Sequence, residues 1–156
     1  MTEDTAATKA VTGPRDPGAA QAARELPRDH VQVCLPAEGA YLSVLRTATA
    51  GLAARLDFTL DEIEDLRIAV DEACAMLLAQ AIPGSNLECA FDLGAEEMTI
   101  IVSVVAARPR IPARDTFAWT VLSALAGTVD SRLGPDDQVS IVLRKHRGAA
   151  SGSRSG

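Results

Sequence analysis

The sequence predicts a two-layer α/β sandwich of the α+β kind, a mixed and mostly antiparallel sheet with helices on one face. Three observations predict it. Short apolar runs of strand length recur at residues 31–35, 87–93, 98–105, 128–133 and 139–144. Residues 59–81, TLDEIEDLRIAVDEACAMLLAQA, carry a helical apolar stripe behind a full set of start signals. The elements follow the order β-α-α-β-β-α-β-β, with hairpin-length loops inside the two strand pairs.

Taken in order, residues 1–28 mix Ala, Thr, Gly, Pro and charges without periodicity and read as a disordered leader. Val31, Val33 and Leu35 alternate with Gln32 and Cys34, a short strand that Pro36 stops. Over residues 38–56 the apolar positions Tyr41, Leu45, Ala48, Leu52 and Leu56 step by threes and fours, the period of a helix. In the next helix Thr59 and Glu62 form a capping box, and Phe58 and Ile63 staple over it. Asp61, Glu62, Glu64 and Asp65 complement its N-terminal dipole. Ile63, Leu66, Val70, Ala73 and Leu77 make its buried stripe, and Pro83-Gly84 ends it.

Residues 87–93 alternate, 94–97 form a hairpin loop, and 98–105 are nearly all apolar, as a central strand is. Residues 106–115 read as a loop. Asp115 is placed to cap a third helix carrying Phe117, Val121, Leu122 and Leu125. A last hairpin follows, and residues 147–156 read as a flexible basic tail. The folded domain is expected over residues 29–146.

Composition bounds the function. A chain of 156 residues with 47% apolar content suffices for one domain with a real core, and excludes a wholly disordered protein. No apolar run approaches the roughly 18 residues that span a bilayer, and no apolar signal segment opens the chain. The expected compartment is the cytoplasm, with no membrane partner. Cys34, Cys74 and Cys89 stand far apart and read as buried, reduced thiols. With only His30 and His146 besides them, no metal centre is expected. The net charge of −6 hides an asymmetry, because four of the 15 basic residues follow residue 143 while all 21 acidic ones precede it. Such a body repels nucleic acid and steers basic partners, or simply keeps the chain soluble.

Four stretches in this order carry a likeness. LPAEGAYLSVLR, LDFTLDEIEDLRIAVDEAC, EEMTIIV, and the pair WTVLSALAGTVD and VSIVLRKHR resemble the anti-sigma-factor/serine-kinase family of the RsbW and SpoIIAB type, over nearly all of residues 31–146. The composite resembles the actinobacterial stress-sigma branch most closely. The resemblance implies the histidine-kinase-like ATPase fold (GHKL, or Bergerat). It also implies a cytoplasmic homodimer that binds a sigma factor and is released by an anti-anti-sigma protein of the STAS fold.

The family's second helix reads Glu-x-x-x-Asn, the glutamate serving as general base and the asparagine as Mg²⁺ ligand. Glu72 matches the glutamate, but Met76 stands for the asparagine, and a thioether is a poor ligand for Mg²⁺. The family's frequent histidine one turn later is Gln80. The family's Asp-x-Gly-x-Gly is replaced by SVVAARPR, its Gly-x-Gly by Thr116-Phe117-Ala118, and its Gly-Thr by Gln138-Val139. The reading is a nucleotide site at Glu72 and Met76 that is degenerate. No cofactor is then expected; ATP and Mg²⁺ return if the chain is an active kinase.

Glu72 has two readings, a catalytic base or an ordinary polar residue paired with Arg67 or Gln80. The second is favoured because the phosphate loops are missing. Arg46 occupies the family's partner-binding arginine position, bordered by Tyr41, Leu42 and Ser43; alternatively it is a solvated arginine paired with Glu38. Trp119 reads as core, with filling of a vacated nucleotide cavity as the other reading.

Overall fold

The structure, a computed structural model, describes residues 29–148. The expected leader, 1–28, and the tail from residue 149 lie outside the described residues. Strand β1 (Asp29–Pro36) and a short 3₁₀ turn (Gly39–Tyr41) precede helices α1 (Leu42–Arg55) and α2 (Leu60–Leu78). Then come β2 (Asn86–Leu93), β3 (Glu97–Val105), α3 (Phe117–Ala126), β4 (Thr128–Leu133) and β5 (Gln138–His146). The five strands form one sheet in the order β1-β2-β3-β5-β4. All four pairings are antiparallel.

Register explains the layers. Phe91 stands opposite Val31 on one side and Ile100 on the other, and Ile100 stands opposite Leu143. Cys89, Val102 and Ile141 form the next apolar row, all fully buried. This face lies under α2 and α3, while α1 packs against α2. Leu45, Leu66, Val70, Leu77 and Leu122 close the core from the helix side.

Several elements differ from the sequence reading. β1 runs through Pro36, which pairs with Asn86 at the end of an edge strand, where a missing N–H costs least. The first helix opens as a 3₁₀ turn, so Tyr41 leaves the buried stripe and is 41% exposed. α2 ends at Leu78, before Pro83-Gly84, and Ala81 turns into a bridge with Ala106. Thr116, not Asp115, caps α3: its hydroxyl accepts from the Trp119 amide and donates to the Ala113 carbonyl. Phe117 is 83% exposed, because the buried stripe of α3 is Trp119, Leu122 and Ala126.

The start of α2 is built as the capping box requires. Glu62 N donates to Thr59 Oγ1 and Thr59 N to Glu62 Oε1, worth about 1 kcal/mol. Glu62 Oε2 also accepts from the Gly148 amide, and Arg147 donates to Glu96, so the two residues that open the expected tail lie against the domain. Burial pushes the Glu62 carboxyl up, but the amides of Gly148 and Thr59 outweigh it and hold the group below its usual range. At the other end of the helix layer, Lys145 Nζ donates to the Leu125 carbonyl in the last turn of α3. Gly127, at φ 84°, then turns the chain into β4, where a Cβ would meet the Arg144 carbonyl at 3.1 Å.

The cysteines divide. Cys74 and Cys89 are fully buried, but Cys34 is exposed, since the β1 alternation turns it to the face away from the helices. Burial, with the Asp71 charge adding, pushes the Cys74 thiol up to about 12, and burial pushes Cys89 up as well. Because the thiolate is the nucleophile, one thiol is expected to react with a disulfide reagent in the native protein and all three after denaturation. Native reaction of two or three would contradict this arrangement.

Candidate functional site

The C-terminal turn of α2, the 106–116 loop and the start of α3 enclose an open cavity of about 420 Å³. Met76 of α2 and Ala79 and Gln80 just past its end supply one wall, and Ile111, Pro112 and Ala118 also line the cavity. No carboxylate lines it. Glu72, one turn before Met76, is half-buried and is not part of the wall. The last turn of α2 thus brings Met76 to the cavity, the turn after it brings Gln80, and Glu72 is left outside.

Gln80 does something that no helical period announces. Its amide Nε2 donates to the Arg110 carbonyl and its Oε1 accepts from the Arg110 amide, both at 2.9 Å. One side chain thereby copies a strand pairing and fastens the loop over the cavity. A second tie lies further along the loop. The Arg114 guanidinium sits 5.0 Å from the centre of the Trp119 ring and bonds Asp130 at 2.8 Å. Trp119 itself is 6% exposed and belongs to the core.

Neither expected partner of Glu72 pairs with it. Arg67 bonds Glu64 at 3.1 Å, and Gln80 is spent on Arg110. At the α3 end, the Trp119 amide is taken by Thr116, where a phosphate-binding helix start would leave its amides open. The donors that line the cavity do not suit Mg²⁺: Met76 presents a thioether, and no lining residue offers an anionic oxygen. Among the described residues, no three His, Cys, Asp or Glu side chains gather into a metal-binding group. Nor is any helix there long and apolar enough to cross a membrane.

Arg46 does not pair with Glu38. Its Nε donates to both carboxylate oxygens of Asp71 on α2, at 2.8 and 2.9 Å, which fixes the guanidinium across the α1–α2 seam. Its side chain stays 40% exposed. Tyr41 and Ser43 are exposed nearby in the chain, whereas Leu42 is half-buried against the core. The sequence reading missed Val44, which is 45% exposed and borders a shallow groove with Ser43, Thr47 and Ala48. Its apolar character without a place in the stripe was the available signal.

Comparison with solved structures defines the class first. The fold matches that of the RsbU and RsbW domains of a Mycobacterium tuberculosis protein, with a TM-score of 0.62 at 13% identity, over 80% of this chain and 34% of that one. The five-stranded antiparallel sheet with its layer of helices is therefore a fold that this chain shares with that structure.

Sequence comparison carries the relationship further. The chain is 33% identical over 90 residues to the anti-sigma-F factor RsbW of Mycobacterium tuberculosis, covering 58% of this chain and 54% of that protein. It is 31% identical over 109 residues to the serine-protein kinase RsbW of Bacillus cereus, covering 70% and 60%. With the Bacillus subtilis serine-protein kinase RsbW it shares 42% over 53 residues, covering 34% and 33%. The chain is thus similar to proteins named RsbW over part of its length and of theirs. It spans about half the length of the curated relatives it matches, and no protein-family model matches it.

Proposed function

We propose that this chain is a cytoplasmic, homodimeric anti-sigma factor. It holds an alternative sigma factor of the stress or development type and yields it to a STAS anti-anti-sigma protein, with ATP binding weak or lost. The partner reading is supported by relatives named anti-sigma factors and by a surface on α1 and the 3₁₀ turn before it that presents Arg46, Tyr41, Ser43 and Val44. The nucleotide reading rests on one observation above all: Met76 lines the cavity where the resemblance puts an Mg²⁺ ligand. Without phosphorylation of its antagonist, release is a competition between two partners, and their relative affinities set the switch.

Calorimetric titration tests the nucleotide half. Magnesium-ATP is expected to give no saturable heat at tens of micromolar protein, and a dissociation constant in the low micromolar range would refute the reading. Co-purification with sigma factors from the same genome tests the partner half, and failure of every one to bind at micromolar concentration would end it.

A second reading, an active serine kinase acting on a STAS partner, draws on relatives named serine-protein kinases and on the retention of Glu72. In that case Glu72→Gln abolishes phosphate transfer from labelled ATP to the STAS protein. The favoured reading expects no transfer from either form.

A further inference from the structure

The cavity has a chemistry of its own. Its walls are mostly apolar, from Met76, Ile111, Pro112 and Ala118. Its two uncharged polar side chains are already engaged, Gln80 by the Arg110 backbone and Thr116 by the cap of α3. What is left over is positive. Arg110 lines both this cavity and an adjoining one of about 520 Å³, where Arg108 joins it. Among the described residues, neither Arg108 nor Arg110 has a carboxylate at ion-pair distance, although the chain carries a net charge of −6. Two unpaired guanidiniums beside an apolar cavity of small-molecule size suit a ligand with one apolar body and one anionic end.

We propose that this cavity is a binding site for a small amphiphilic carboxylate. Its aliphatic or aromatic body lies between Met76 and Ile111–Pro112, and its carboxylate meets Arg110 and Arg108. The proposal rests on the reading above that magnesium-ATP has lost this site. A ligand there also touches the loop held by Gln80. The same loop carries Arg114 onto Trp119, the only tryptophan of the chain, so occupancy reaches an intrinsic fluorophore.

The test uses the full chain with anilinonaphthalene sulfonate as an apolar, anionic fluorescent probe. One saturable site is expected, from which octanoate displaces the probe and octanol does not. Arg110→Ala is expected to weaken probe and octanoate by about tenfold. Ala118→Leu, which fills the cavity from a helical position, removes binding while the thermal melt stays near wild type. Octanoate alone is expected to shift the Trp119 emission. Probe binding that is indifferent to both substitutions, or that octanoate cannot displace, overturns the proposal and leaves the anti-sigma reading intact. Displacement by micromolar magnesium-ATP overturns both, which keeps the two failures distinct.

Discussion

Under the proposed anti-sigma function, Arg46→Glu is expected to weaken sigma-factor binding by about 30-fold or more, with little loss of stability. The geometry gives the reason. Asp71 holds Arg46 through Nε alone, so its two terminal nitrogens have no hydrogen-bond partner among the described residues. A guanidinium fixed in place with spare donors is the form in which arginine contributes most to an interface, where single side chains are worth about 2 kcal/mol or more. The fold itself depends less on the pair. Both side chains are more than a third exposed, so the ion pair contributes at most about 1 kcal/mol. Reversal also sets a carboxylate against Asp71 and drives the new side chain off the seam. Asp71→Asn serves as the second arm: it keeps the cation but loosens its hold, and an intermediate loss is expected. Sigma binding unchanged in Arg46→Glu, with a wild-type melt, would move the partner surface away from α1.

Phe91→Ala is expected to produce the largest loss of stability, about 3–5 kcal/mol. Phe91 is fully buried in the middle of the sheet, between Val31 and Ile100 and beneath the helix layer. Removing its ring leaves a cavity that two flanking strands, locked in register, cannot close. Domains of this size hold about 5–15 kcal/mol in all, so the melting temperature should fall by roughly 10–20 °C. Phe117→Ala is the matched control. With its ring 83% exposed, its loss should stay within about 0.5 kcal/mol. Calorimetric melts of the two variants measure the contrast, and equal losses would mean that α3 is rotated from the orientation described.

That contrast marks where the sequence was legible and where it was not. The start of the second helix could be read to the residue, because capping box, acidic first turn and apolar stripe are local signals that agree, whereas its end at Leu78 carries no such signal. The strands were legible for the same reason, since alternation of period two is written in the chain itself. Phe117 was misplaced because a helix of only ten residues offers two plausible apolar phases, and the choice is made by the sheet beneath. Cys34 was misplaced by residue type; its own alternation with Val33 and Leu35 already turned it outward. In the candidate site, Met76 could be singled out by its spacing of four from Glu72, the spacing of the Glu-x-x-x-Asn pattern that the helix resembles. The Gln80–Arg110 fastening and the Arg46–Asp71 pair join residues 30 and 25 positions apart, beyond the reach of any period.

The strand order has a kinetic consequence. The β2–β3 hairpin closes at Leu93–Met98, around residues 94–97 alone. β1 closes on β2 at Pro36–Asn86, around residues 37–85 and thus around both α1 and α2. By loop length alone that closure costs about 2 kcal/mol more. The β2–β3 hairpin is therefore expected to form early in folding and the β1 edge to dock late, with its pairing the first to open in the folded state. Hydrogen exchange would report this as amides of residues 31–35 exchanging ahead of those in 98–104. The helix that presents Arg46 hangs between that late edge and the core, so the surface proposed to meet a partner is tethered by the last pairing that the chain is expected to make.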